Sequence, residues 1–141
     1  MNDNRGEMLI MKYNGVLYDL AAIGDAEFTP DYAKWRAEIS GMEIVIKVTV
    51  PERGMCKKCS VEITNKSASK RNSDVMYFAV PVLGTGMGER GMIYATKGDY
   101  GVTFENPFAE IHGFSYIGCS HRPDYICLSK KKFFEALKKG T

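Results

Sequence analysis

The stretch from Trp35 to Gly84 constrains the fold most tightly, because it carries three successive runs with the signature of strands, each closed by turn residues. Met42, Ile44, Ile46, Val48 and Val50 occupy one parity of an extended run, with Glu43, Lys47 and Thr49 on the other. Cys59, Val61 and Ile63 repeat the pattern, separated by Ser60 and Glu62 and flanked by Lys58 and Thr64. Side chains of a strand point alternately to opposite faces, so this period of two predicts a sheet with one wet side. Val75 to Leu83 is apolar at nearly every position, which predicts a strand covered on both faces.

Size and charge narrow the class. A chain of 141 residues is expected to form one domain, here residues 8–141 behind a frayed polar tail at 1–7. At this length about 68% of the unfolded surface is buried on folding, enough for a true core. Nineteen basic against seventeen acidic residues leave +2, too balanced for a protein that neutralises phosphates, so no nucleic-acid partner is expected. The N-terminus has no apolar signal run, and no stretch approaches the roughly 20 apolar residues of a membrane helix. These features predict a cytoplasmic chain without a membrane partner, in which the four cysteines are thiols rather than disulfides.

Along the chain, Met8 to Tyr13 and Val16 to Leu20 flank Asn14-Gly15, a strong hairpin signal. Ala21 to Pro30 is compatible with a short helix interrupted by Gly24. Tyr32 to Ile39 reads as a strand turned by Ser40-Gly41 into Met42 to Val50, and Pro51 to Gly54 closes that strand. Cys56 to Thr64 follows, then the polar loop Asn65 to Asp74. Beyond Leu83 and a glycine-rich loop, Met92 to Thr96, Gly101 to Phe104, Ile111 to Cys119 and Asp124 to Leu128 read as short strands. Only the tail changes period: Ser129 can cap a helix from Lys130, with Phe133, Phe134 and Leu137 on one face, lysines at its negative end and Gly140 as a stop. The fold expected is all-β, an antiparallel sandwich with a short C-terminal helix.

Candidate chemistry is sparse. Cys56-Lys57-Lys58-Cys59 supplies one ligand pair where a zinc site needs four ligands, so Cys56 and Cys59 are only an alternative metal pair, needing Cys119, His121 or His112 brought close. No helix follows Cys59 to lower a thiolate pKa, as a redox pair would want. Gly86 to Gly91 matches GxGxxG, but a strand follows rather than the helix whose amides would face a pyrophosphate, and the plain reading is a loop. Asp99, Glu105, Glu110 and Asp124 sit beside turns rather than in the apolar settings that raise a general acid's pKa. Ser115, Ser120 and Cys119 lack a nucleophile elbow. No catalytic residue and no cofactor are expected. The aromatics mostly fall in strands, where rings usually fill core, although exposed rings could stack on sugars. Asn65-Lys66-Ser67 is a glycosylation acceptor by pattern, without meaning in a cytoplasmic chain.

Val50-Pro51 ending one strand, Asn65-Lys66-Ser67 ending the next, the aromatic-rich run Val75 to Leu83, then Phe104-Glu105-Asn106-Pro107-Phe108 and the strand Phe114 to Cys119 follow a familiar order. Together, over roughly residues 28 to 140, they resemble the β-sandwich, or supersandwich, domain of inverting glycoside phosphorylases, the family of cellobiose and chitobiose phosphorylases once classed as family 36 glycosyltransferases. In that family a larger α/α-barrel follows the sandwich and carries the general-acid Asp and the phosphate-binding residues. This chain ends at Thr141, where the barrel would begin, so the resemblance transfers no catalytic residue. It implies a module that does not catalyse on its own and that binds oligosaccharide or packs on a separate catalytic helical-barrel chain. The alternative is a structural module, or one piece of a split phosphorylase, with no ligand of its own. Trp35, Arg90 and Tyr116 are the candidate glycan contacts. A sandwich shorter than the family's leaves strand edges open, so a homo-oligomer is expected.

Overall fold

A computed structural model describes residues 6–81, 83, 93–109 and 113–139. The chain divides into two units, Met1–Phe78 and Ala79–Thr141. Strands dominate both, and the sheets are built from antiparallel pairs.

The first unit begins with β1 (Glu7–Tyr13) and β2 (Val16–Asp19), joined at Tyr13↔Val16. Asn14 and Gly15 both hold positive φ, 49° and 77°, as a two-residue turn matched to strand twist requires. Glu7, read from sequence as part of the tail, opens β1. A four-residue α1 (Leu20–Ile23) leads into β3 (Asp25–Phe28), a strand where the sequence suggested only helix. Thr29 closes the next corner: its Oγ1 accepts from the amides of Asp31 and Tyr32 at 3.3 and 3.1 Å. β4 (Tyr32–Ile39), β5 (Met42–Thr49) and β6 (Lys58–Asn65) then form a meander, giving the sheet order β3-β4-β5-β6. Ser40 and Gly41, with φ of 50° and 78°, make the same kind of turn as Asn14-Gly15.

Register explains the alternation. Met42, Ile44, Ile46 and Val48 stand opposite Asn65, Ile63, Val61 and Cys59 on one side, and opposite Ile39, Ala37, Trp35 and Ala33 on the other. Ile39, Met42, Ile44 and Ile46 meet Leu9, Met11 and Tyr13 of β1 and Leu20 of α1 in the core. Burying an aliphatic side chain of this size contributes about 1.5–3 kcal/mol, and that drives the two sheets together.

β7 (Asp74–Ala79) completes the smaller sheet, in the order β2-β1-β7. It corrects the expectation drawn from its apolar sequence. Among the described residues β7 lies at the edge of its sheet, and the face that bears Val75 and Tyr77 is open, with the two residues 42% and 39% exposed. The strand buried on both faces is β1, where Met8 and Ile10 are as deeply buried as Leu9 and Met11. The loop before β7 is tied down by an Asx turn. Asn65 Oδ1 accepts from the amide and hydroxyl of Ser67 at 3.0 and 2.6 Å, and its Nδ2 donates to the Ser69 carbonyl at 2.8 Å. The glycosylation-like triplet is thus a structural turn.

The second unit holds β8 (Tyr94–Lys97), β9 (Gly101–Asn106) and β10 (Gly113–Gly118) in the order β10-β9-β8. Asn106, fully buried, donates through Nδ2 to the Leu83 carbonyl at 2.6 Å and accepts from the Phe108 amide at 3.0 Å. Asp124 to Leu128, expected as a strand, is irregular, and no neighbouring strand pairs with it among the described residues. α2 (Lys130–Lys139) is capped as its sequence predicts, with Ser129 Oγ accepting from the Lys132 amide at 3.3 Å.

Ile44→Ala is expected to lower unfolding free energy by about 2–5 kcal/mol, because the site is closed on every side. Glu62→Ala on the wet face of β6 should change it by less than about 0.5 kcal/mol. Denaturant melts of the two variants check the assignment of faces.

Candidate functional site

The second unit presents an aromatic sheet face. Opposed residues in an antiparallel pair share a face, and the register sets Phe114 opposite Glu105 opposite Tyr94, and Tyr116 opposite Thr103 opposite Thr96. Phe114, Tyr116 and Tyr94 are 72%, 61% and 60% exposed. The other parity, Val102, Phe104 and Asn106, is buried. The rings are therefore the outward half of a strand pattern whose inward half already supplies this unit's core. Phe108 leans against Tyr94, with ring centroids 6.5 Å apart.

Glycine shapes the face at its far end. A Cβ at Gly118 would fall 2.4 Å from the Tyr116 ring, so that ring lies back along the strand over a residue with no side chain. Same-face neighbours on a strand are roughly 7 Å apart, twice the rise per residue, which spaces Phe114 and Tyr116 as successive steps. The result is a surface of rings with Thr103, Thr96 and Glu105 between them.

Of the residues singled out by sequence, Tyr116 lies on this face and Trp35 does not. Trp35 is half-buried on β4, packs against the core and meets Phe28 edge-on at 5.7 Å. Arg90, the GxGxxG loop, Glu110 and His112 lie outside the described residues. Sequence reasoning missed Phe114 and Tyr94 as partners of Tyr116. The alternation was legible, but the register that puts all three on one face depends on pairing between separate strands.

The cysteine pair sits in a different environment. Cys56 is exposed in the loop before β6, whereas Cys59 is half-buried within it, and both are free thiols. Among the described residues no group of three or more His, Cys, Asp or Glu side chains comes close enough to hold a metal ion. Burial, and then the neighbouring Glu7, push the Cys59 thiol above its usual 9, which disfavours a thiolate. Glu7 is the centre of this cluster. Its Oε2 pairs with Lys57 and its Oε1 accepts from the Tyr77 hydroxyl at 2.7 Å. Burial opposes its ionisation, but the hydrogen bonds from Lys57 and Tyr77 and the Lys57 charge outweigh it and hold the carboxyl below its usual 4.5. Burial, followed by the bond to Glu7, raises the Tyr77 phenol far above its usual 10, so it stays a donor.

Two open clefts accompany these features. One, of about 500 Å³, lies in the first unit beside the Asn14-Gly15 turn and Arg71 to Asp74. The other, of about 210 Å³, lies in the second unit between Lys97-Asp99 and Arg122-Ile126. No helix among the described residues is long and apolar enough to cross a membrane.

A carboxyl whose folded pKa lies below its unfolded one adds stability above the unfolded value, and loses it as pH falls through the folded value. Glu7→Gln should therefore be less stable than the parent at pH 7. The deficit should be below about 1 kcal/mol, because the partly exposed pair is screened by solvent. It should shrink once pH drops below 4.5, and urea melts across that range check it.

Comparison with known proteins places the chain in a family. The family model described as glycosyl hydrolase 94, supersandwich domain, matches residues 3–96. No curated protein and no solved structure matches the chain.

Proposed function

The chain belongs to the glycosyl hydrolase 94 supersandwich family, and from that premise we propose that it is a non-catalytic module that binds glycan on the outer face of β8, β9 and β10. The observation that carries this reading is the exposure of Tyr94, Phe114 and Tyr116 on one face, with threonine hydroxyls and Glu105 between them. A pyranose has an apolar C–H face and an equatorial rim of hydroxyls. Rings take the first, and Thr103, Thr96 and Glu105 offer hydrogen bonds to the second. The bare Gly118 supports the reading further, because it lets the Tyr116 ring lie flat enough to be stacked upon. Bond cleavage is then the work of a separate helical-barrel domain or chain, and the module holds the saccharide near it.

Calorimetric titration with cellotetraose, and with a chitin oligosaccharide in a parallel arm, tests this. Tyr116→Ala should weaken binding about tenfold, equivalent to about 1.4 kcal/mol. Gly118→Ala should weaken it as well without lowering the melting temperature, because the added methyl meets the end of a movable ring. Equal affinity in the parent and both variants would sink the assignment of the face. Phosphorolysis by the isolated chain would sink the non-catalytic reading.

A second reading, assembly of two copies, is supported by β6. Among the described residues it is an eight-residue edge strand, paired without interruption to β5 on one side, and it contains no proline. Unpaired edges of that length are templates for another strand. Antiparallel self-pairing centred on Val61 would set Lys58 opposite Thr64, Ser60 opposite Glu62 and Cys59 opposite Ile63, with no like charges facing. Light scattering should then report a dimer, and Thr64→Lys, which puts a lysine opposite Lys58, should return the monomer. A monomeric parent at high concentration would remove this reading.

A further inference from the structure

We propose that the cleft between the Asn14-Gly15 turn and the start of β7 is a second carbohydrate site, one that takes a single neutral sugar unit. The inference rests on the glycan-binding reading above and deepens it. Six polar residues line the cleft: Lys12, Asn14, Arg71, Asn72, Ser73 and Asp74. Arg71 is held in place from behind. Its Nε donates to Ser67 Oγ at 3.1 Å, one terminal nitrogen donates to the Tyr13 hydroxyl at 2.7 Å, and its guanidinium lies 5.9 Å from the Tyr13 ring centre. Ser67 is itself locked by Asn65, so the chain of bonds runs from the end of β6 to the end of β1. A side chain ordered in this way loses little freedom when a ligand arrives.

Four of the remaining groups are unspent. Among the described residues, the side chains of Asn14, Asn72, Ser73 and Asp74 make no hydrogen bond within the protein. They crowd one concave surface, where amides offer donors and acceptors together and the carboxylate offers acceptors only. That mixture fits a polyhydroxyl ligand, whose neighbouring hydroxyls each donate and accept. An anion is matched less well, because Asp74 offsets part of the charge that Lys12 and Arg71 bring to the lining. An apolar ligand would leave the polar lining desolvated and unpaired. The cleft of the second unit lacks this quality. There Asp99 is paired to Arg122 at 3.2 Å, and Lys97 donates to the Ile126 carbonyl at 2.6 Å while lying over Tyr125.

The test is a titration of the full, nitrogen-15-labelled chain with methyl β-glucoside, a ligand too short to span two rings of the aromatic face. The expected result is saturable shifts of the Asn14, Asn72 and Ser73 backbone amides and of the Asn14 and Asn72 side-chain amides. Asp74→Ala and Asn72→Ala should each weaken these shifts at least fivefold, while circular dichroism stays unchanged. Shifts confined to β10, or unaltered by both substitutions, would overturn the site. Shifts produced by sodium phosphate and not by the glucoside would make it an anion site, and would overturn it equally. Because cleft and aromatic face report through different amides, a silent cleft beside a responsive Tyr116 overturns only this inference. A cleft that responds to the glucoside beside a Tyr116 that stays silent to cellotetraose overturns only the assignment of the sheet face.

Discussion

The first unit depends on the burial of β1 on both of its faces. Leu9, Met11 and Tyr13 close the core against Ile39, Met42, Ile44 and Ile46, while Met8 and Ile10 are buried on the opposite side. Each such aliphatic side chain adds about 1.5–3 kcal/mol, and β1 buries four of them together with Tyr13. Its two ends are fastened by polar side chains from distant parts of the chain. At the start, Glu7 is held by Lys57 and Tyr77, and at the end the Tyr13 hydroxyl accepts from Arg71. Burial supplies the free energy, the Asn14-Gly15 turn sets the register of β1 with β2, and these bonds tie its ends to Lys57, Tyr77 and Arg71.

That division of labour explains what could be read from sequence. The meander β4-β5-β6 was legible because alternation and the Ser40-Gly41 turn are local signals that agree with one another. The Asn14-Gly15 hairpin and the Ser129 cap were legible for the same reason. β3 was not, since Asp25-Ala26-Glu27-Phe28 has no apolar alternation and owes its strand state to pairing with β4. The apolar run at Val75 misled because covering depends on neighbours in space. β7 has an edge position, and β1, no more apolar in sequence, has the central one. Asp124 to Leu128 shows the complement, a strand-like composition left irregular without a partner.

The candidate sites follow the same rule. Tyr116 could be singled out from its sequence, but its company could not, because Phe114 and Tyr94 join it through a register spanning three strands. Trp35 stands elsewhere, half-buried on β4 and packed against the core of the first unit. The Asn-x-Ser triplet is an Asx turn whose serine positions Arg71, so a pattern without apparent use holds one wall of a cleft. The supersandwich match covers residues 3–96, which include the cleft and Tyr94 but not Phe114 and Tyr116.

The most direct test of the central claim is to record where a glycan touches the chain. In a titration of the labelled protein with cellotetraose, the account predicts saturable shifts at Phe114, Tyr116 and Thr103, on the outer face of β9 and β10. Cellotetraose and chitin oligosaccharides that leave those residues unmoved at saturating concentration would contradict it.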